Sequence, residues 1–357
     1  VPLPRRNAMS TVKPSISIDE QSLITSELFR GKSVVQTDDN TDGEILEYSG
    51  KLSIILELAK QGFENARPAA EIVARLAGDL HQMRATSSTA VWEKLVAIAQ
   101  DHPVAEFLAE DPLSNWSFTK PRGYSGDASL LDLYYQHPSM ASEVAEATPR
   151  GREIYDYTVN VPACAAGRER CQILARTVDE AAERAGGDVE IFAVAAGHLR
   201  EAEICKSLPA GKIKRWVALD QDPVSVGVMT RDIGGAVVQP MTGSVMGLLK
   251  RSYGHLGDFD LVYASGLYDY LQRKVAIKLM QRMVEFVRPG GMLLFANFSD
   301  EITSDGYMET FMDWPLILRS ADDMWDIINA SVDRNAFDCD VWYGTNRNIV
   351  YGTLRRK

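Results

Sequence analysis

Cysteine, histidine and long apolar runs are all scarce in this chain, and each shortage excludes something. Four cysteines, Cys164, Cys171, Cys205 and Cys339, are spread over 357 residues, with no two in a C-x-x-C pair. No histidine clusters with them, so neither zinc nor any other metal is expected. So sparse a use of thiols suits a reducing, cytoplasmic setting. No stretch approaches ~18 consecutive apolar residues, so a membrane-spanning helix is not expected. Basic residues are also short: 38 Lys and Arg face 49 Asp and Glu, a net charge of −11. Binding to phosphate backbones needs the opposite surplus, which disfavours nucleic acid as a partner. The opening residues Val1–Ser10 carry Pro2, Pro4, Arg5 and Arg6 but no apolar h-region, so they do not read as a secretory signal. Residues 1–15 are expected to be a disordered arm or tag remnant.

What is present is ordinary for a globular protein: 45% hydrophobic and 24% charged residues. At about 150 residues per domain, the length allows two domains, or one with a large extension. Residues 16–160 read as a mainly helical domain. The run 36–43 reads as a loop, with Val34-Val35 and Ile45-Leu46 as a short hairpin around it. Leu52, Ile55, Leu56, Leu58 and Ala59 fall on one helix face, as do Ile72, Val73, Leu76 and Leu80, and then Val91, Leu95, Ile98 and Ala99. Four or five helices are expected. Lys120-Pro121-Arg122-Gly123-Tyr124-Ser125-Gly126-Asp127 interrupts them, and Asp127 can cap the helix after it.

From 161 to 357 short apolar runs alternate with helical segments, as in βαβ units. Strands are expected at Val189–Ala195, Trp216–Leu219, Ala236–Val238, Phe259–Ala264 and Met292–Phe298. Helices are expected at Glu201–Leu208, from Lys274 to Val287 across the fourth and fifth strands, and at 321–333, where Ser320 and Asp323 read as a capping box. Arg288-Pro289-Gly290-Gly291 reads as a turn leading into the fifth strand. A terminal hairpin, Phe337–Tyr343 with Asn348–Leu354, follows.

In an open parallel sheet, ligands bind beyond the carboxyl ends of the strands, where strand order reverses. The first strand closes on Ala195-Ala196-Gly197-His198, in which only Gly197 remains of a G-x-G-x-x-G fingerprint. The second closes on Asp220, 23 residues past Gly197, where an acidic residue accepts ribose hydroxyls. Gln221 follows it. Met241–Met246, including Ser244 and Val245, stands where an adenine could be flanked. Ser265, Gly266, Tyr268, Asp269 and Tyr270 follow the fourth strand, and Asn297 ends the fifth.

These segments resemble the ordered motifs of class I S-adenosylmethionine-dependent methyltransferases. The resemblance rests on Glu190–Glu201, Asp220, Phe259-Asp260-Leu261-Val262, Arg288–Leu294 and the terminal hairpin, and covers roughly 165–357. It implies an α/β, Rossmann-like seven-stranded sheet of order 3-2-1-4-5-7-6 under a helical N-terminal cap. It implies S-adenosylmethionine as cofactor, held by Ala195, Gly197, His198, Asp220, Gln221, Ser244, Val245, Ser265 and Gly266, with Tyr124 and Arg168 closing over it. The departure lies in the first motif, which lacks the family's acidic residue and several glycines. A narrower group, which includes bacterial 3-hydroxy fatty acid methyl ester synthases, is similar at Lys120–Asp127, Ala196–Glu201 and Asp313–Ser320.

The acceptor is expected to be a small molecule, favoured as a carboxylate or hydroxyl undergoing O-methylation. The expected catalytic residues are Tyr268, Asp269 and His198; Tyr268, Asn297, Trp314 and Arg319 are expected at the substrate, with Arg319 gripping a carboxylate. Tyr157 and Asn160 are further candidates for covering the cofactor. The connection 299–319 reads as a lid. Its acids Asp300, Glu301, Asp305 and Asp313 favour an alternative, N-methylation of a small amine or guanidine. A further alternative is a cofactor-binding regulatory protein without catalysis. A nicotinamide dehydrogenase is disfavoured, since no substrate domain follows the sheet. Whether the chain is a monomer or a homodimer stays open.

Overall fold

A computed structural model of the chain describes residues 39–357. The readings placed on 1–38, including the arm, the start of the helical domain and Val34-Val35, lie outside them.

The helical part runs α1 (Asp39–Glu64), α2 (Ala69–Thr86), α3 (Thr89–Asp101), α4 (Val104–Leu108), α5 (Pro112–Thr119), α6 (Ala128–Tyr135), α7 (Ala141–Glu146) and α8 (Pro149–Thr158), and α9 (Pro162–Arg184) leads into the sheet. These are more and shorter helices than the apolar periodicity suggested, because capping signals cut the chain often. Asp111 accepts from the N–H groups of Leu113 and Ser114 ahead of α5, Asp127 does the same for Ser129 and Leu130 in α6, and Thr148 caps α8. Ile45 and Leu46 are helical, as is Asp39–Gly43, so neither the hairpin nor that end of the loop forms. Leu52 and Leu56 are fully buried, but Leu58 and Ile98 face outward at 46% and 37% exposure. They stand at the edge of their stripes, where the apolar face meets solvent.

The remaining elements alternate as β1 (Val189–Val194), α10 (Glu201–Ile204), β2 (Ile213–Asp220), α11 (Pro223–Asp232), β3 (Val238–Thr242), α12 (Val245–Leu249), β4 (Phe259–Ala264), α13 (Arg273–Met283), β5 (Val287–Phe298), α14 (Asp305–Phe311), α15 (Ala321–Ser331), β6 (Phe337–Tyr343) and β7 (Ile349–Arg356). The sheet has the order β3-β2-β1-β4-β5-β7-β6, parallel except for β7, which runs antiparallel to both β5 and β6. Side chains alternate between two cores: Ile191 and Ala193 join the one shared with the helical part, Phe192 and Val194 the one on the opposite face. The Ser320–Asp323 capping box is formed.

Several boundaries differ from expectation. The third strand continues through Pro240 because it is a sheet edge, where a missing N–H costs no ladder bond. Helix α10 stops at Ile204. Helix α13 ends at Met283, and Pro289-Gly290-Gly291 lies within β5 at a register shift against β4 instead of forming a separate turn. Among the described residues no helix is long and apolar enough to cross a membrane.

The connection 299–319 is not a bare loop. It contains α14, which packs on α2 and α3 and belongs to the helical core despite its place late in the chain. Asp305 bonds His81 Nδ1 at 2.7 Å and pairs with Arg84 at 3.0 Å; Glu309 accepts from Arg84 and from Trp92 Nε1. A Cβ on Gly306 would stand 2.6 Å from the Leu80 backbone, so the two helices meet main chain to main chain.

Candidate active site

The site begins where β1 ends. Ala195, Gly197 and Leu199 all take left-handed backbone conformations, with φ of 54°, 58° and 54°. Glycine adopts this region freely, whereas alanine and leucine enter it at a cost of about 1–2 kcal/mol each. The turn therefore keeps a glycine-type path although two of its three left-handed positions carry side chains. Asp220 lies behind it, buried at the end of β2. Its Oδ2 accepts from Gly197 N at 2.7 Å and its Oδ1 from Asp222 N at 2.8 Å. Burial raises its carboxyl to about 6, against the lowering effect of those two bonds. Each oxygen has two lone-pair sites and has used one, so the carboxylate retains capacity for two more donors.

The segment 120–127 crosses from the helical part to this edge. Arg122 donates to Asp222 at 2.7 Å, Ser225 at 2.9 Å and Ser129 at 2.6 Å. Tyr124 donates to Asp222 at 3.2 Å. Asp222 meanwhile caps α11 through Val224 N. Gly126, at φ 77°, fits under Tyr270 and Trp314: a Cβ there would stand 2.0 Å from Tyr270 Oη and 2.8 Å from Trp314 Nε1. Those two side chains are joined by a 2.8 Å hydrogen bond, with Trp314 the donor.

Two adjacent spaces result. A cleft of about 720 Å³ is lined by Tyr124, Gly126, Ala195, Gly197, Asp220, Gln221, Gly266, Asp269, Arg170, Phe298 and Trp314, among others. Phe298 and Trp314 also line a second chamber of about 530 Å³, walled by Val73, Leu113, Tyr157, Val161, Met308 and Met312. Polar side chains on its wall are spent elsewhere: Tyr307 Oη lies 3.0 Å from Ser114 Oγ, and Thr158 donates to Asp111. The chamber therefore presents an apolar lining.

Of the residues expected at the site, Ala195, Gly197, Asp220, Gln221, Gly266, Tyr124, Asp269 and Trp314 line the cleft. Asp269 Oδ1 accepts from Phe298 N at 2.6 Å, and burial raises its carboxyl to about 6. Others lie elsewhere. Tyr268 is fully buried against Phe295, its hydroxyl 3.8 Å from Met283 Sδ, on the far side of the sheet from the cleft. Arg319 gives its donors to the carbonyls of Tyr268 and Leu271 and to Asn297 Oδ1, and Asn297 donates to the carbonyls of Phe298 and Ile317. The pair braces the loops after β4 and β5, and neither side chain lines the cleft. Arg168 donates to the carbonyls of Tyr134 and Val159. Ser244 caps α12, Val245 is in the core, and Ser265 does not line the cleft. Asn160 is exposed and bonds Asp156.

His198 is locked rather than free. Its Nδ1 lies 2.8 Å from Asp132 and its Nε2 3.2 Å from Arg122. Since arginine only donates, Nε2 accepts and Nδ1 carries the hydrogen bonded to Asp132. That places the ring as a strut between the 120–127 segment, α6 and the β1 turn, with neither nitrogen available to a ligand.

Sequence reading missed Arg170 and Phe298. Arg170 sits two residues beyond Arg168, on the opposite side of α9, inside the buried stripe Ala163, Ala166, Gly167, Ile173 and Leu174. A lone cation in an apolar stripe is the signal that could have found it.

No family model matches the chain, and no curated protein matches it either. Solved structures do. A "possible exported protein" from Bordetella parapertussis is 16% identical over 85% of this chain and 96% of its own, with a TM-score of 0.53. The N-methyltransferase NodS from Bradyrhizobium japonicum, in complex with S-adenosyl-L-homocysteine, is 18% identical over 63% of this chain and 99% of its own, at 0.38. A putative methyltransferase from Thermobifida fusca is 15% identical over 64% and 94%, at 0.44. At such identities the first likeness speaks for the fold alone. That fold, read from the strand order itself, is the Rossmann-like seven-stranded α/β class.

Proposed function

We propose that the cleft binds S-adenosylmethionine and that the chain is a methyltransferase of a small, largely apolar acceptor. The carrying observation is Asp220, buried at the β2 end with lone pairs to spare, facing a left-handed turn at the reversal of strand order. Asp220 would take the ribose hydroxyls, the Ala195–Gly197 backbone and Gly266 would admit the amino-acid end closely, and Tyr124 would close the nucleoside side. When bound, the cofactor supplies an electrophilic methyl group on a positively charged sulfur. The protein's part is to orient the acceptor and exclude water.

O-methylation of a carboxylate or hydroxyl is the favoured reaction. The apolar chamber beside the cleft suits an acceptor with an apolar body, in keeping with the narrower likeness to fatty acid methyl ester synthases. A carboxylate needs no base; for a hydroxyl, Asp269 is the cleft carboxylate fitted to take the proton. N-methylation of a cation drew its support from the acids of 299–319. Asp305 is spent on His81 and Arg84, Asp313 on Lys120 and Glu301 on Arg347, which weakens that reading. A binding protein without catalysis drew its support from the missing glycines. The left-handed turn persists without them, which removes much of that support.

Calorimetric titration with S-adenosylmethionine and S-adenosylhomocysteine, with NAD as control, tests the cofactor. Micromolar binding of the first two is expected, weakened by about 1–3 kcal/mol in Asp220→Ala. No binding to the intact protein overturns the assignment. Transfer of labelled methyl to a panel of acids, alcohols and amines then tests the acceptor, and inertness towards every acid and alcohol sinks O-methylation.

A further inference from the structure

We propose that Arg170 is the receptor for an organic carboxylate, placed where the cleft meets the apolar chamber. The inference rests on the proposed function insofar as the cofactor and an acid acceptor both carry such a group.

Arg170 projects from the buried stripe of α9 and is 3% exposed. A guanidinium has five N–H donors and stays charged. Here Nη2 donates to Tyr134 Oη at 3.1 Å, while Nε and Nη1 have no hydrogen-bond partner. The closest acid is Asp269, whose Oδ2 is 4.0 Å from Nη1, beyond hydrogen-bond reach. The cation otherwise lies 5.6 Å from the centre of the Phe298 ring. Three N–H donors of a buried, permanent charge thus make no hydrogen bond, an arrangement that native proteins rarely keep.

The cleft supplies the approach. Arg170, Gly266, Asp269 and Phe298 all line it. A Cβ on Gly266 would stand 3.8 Å from Nη2 and 3.9 Å from Nη1, so its absence leaves the guanidinium accessible from the β4 end. A carboxylate matches this cation in charge, and its oxygens accept from several N–H groups at once. Asp269, beside it, would meet an ammonium, so an α-amino acid end fits the pair as a whole. The group has two sources: the amino-acid end of the cofactor, or the acceptor.

Calorimetry on the wild type, Arg170→Met and Arg170→Lys separates them. The cofactor arm compares S-adenosylhomocysteine with 5′-methylthioadenosine, which lacks the amino-acid end. The acceptor arm compares octanoate with octanol, each with S-adenosylhomocysteine present and absent. If the cofactor is the source, Arg170→Met weakens S-adenosylhomocysteine about 10- to 100-fold and leaves methylthioadenosine unchanged. If the acceptor is the source, octanoate weakens to the same degree, octanol does not, and S-adenosylhomocysteine is unaffected. Either pattern supports the proposal. Arg170→Lys, which keeps the charge, loses less than Arg170→Met and serves alone if the latter does not fold. Arg170 variants that bind both carboxylates as the wild type does overturn the proposal, as does an equal loss for probes with and without the carboxylate. If neither adenosine compound binds the intact protein, the cofactor reading fails and the octanoate arm alone decides Arg170; a wild type that binds none of the four overturns it too.

Discussion

Replacing Gly126 by alanine adds one carbon at the seam between cleft and chamber, and the structure allows its effect to be worked out. Two costs combine. The residue has φ 77°, and an L-residue in the left-handed region costs about 1–2 kcal/mol. The new Cβ would then stand 2.0 Å from Tyr270 Oη and 2.8 Å from Trp314 Nε1, far inside contact distance. Trp314 is buried and joined to Tyr270 by hydrogen bond, so the clash is relieved only by breaking that bond or lifting the segment. Overpacking of this kind costs about 1–3 kcal/mol. The total is roughly 2–5 kcal/mol, a fall of about 3–7 °C in melting temperature for a chain of this length. Gly123→Ala is the control. Its φ is 84°, yet nothing lies within 4 Å of its Cβ, so only the backbone cost applies. Differential scanning calorimetry on the two variants isolates the clash. Equal melting temperatures would refute the reasoning, because they would mean that Tyr270 and Trp314 do not press on the segment.

Two further outcomes are expected. The ionised form of Asp220 is the one that accepts a ligand's hydroxyl hydrogens, and its carboxyl sits at about 6. S-adenosylhomocysteine affinity should therefore be flat above pH 7 and fall as pH drops through 6; a shallower fall in Asp220→Asn completes the test, since Asp269, also raised to about 6 in this cleft, still titrates there, and a flat wild-type profile between pH 5 and 8 contradicts it. His198→Asn should leave the shape of the pH–rate profile unchanged while exposing the amides of 120–127 to faster hydrogen exchange, since the ring acts as a strut. Loss of a titrating limb in the pH profile would restore its role as a base.

The strands were legible because short apolar runs close on residues such as Asp220, whereas their order in the sheet came only from the resemblance to class I methyltransferases. Contacts that depend on backbone geometry were harder to see. The β1 turn looked deficient because glycine is the usual sign of left-handed φ, and Ala195 and Leu199 adopt it without showing it. Arg319 and Asn297 looked functional because polar residues beside a site usually are, yet both bond carbonyls that only the folded loops bring together, and neither lines the cleft. Arg170 was hidden for the opposite reason. It stands inside the buried stripe of α9, two residues beyond the Arg168 that was expected to close over the cofactor.

Helix α14 has a consequence for how the chain is made. It completes the helical core against α2 and α3, but it is synthesised after the first five strands. While a ribosome adds about 5–20 residues per second, α2 and α3 wait with Leu80 and Trp92 lacking their final cover. A fragment that stops before α14 would have most of its helices and still expose that face. The helical part therefore matures late, its last contact arriving with the strands that will share the cleft.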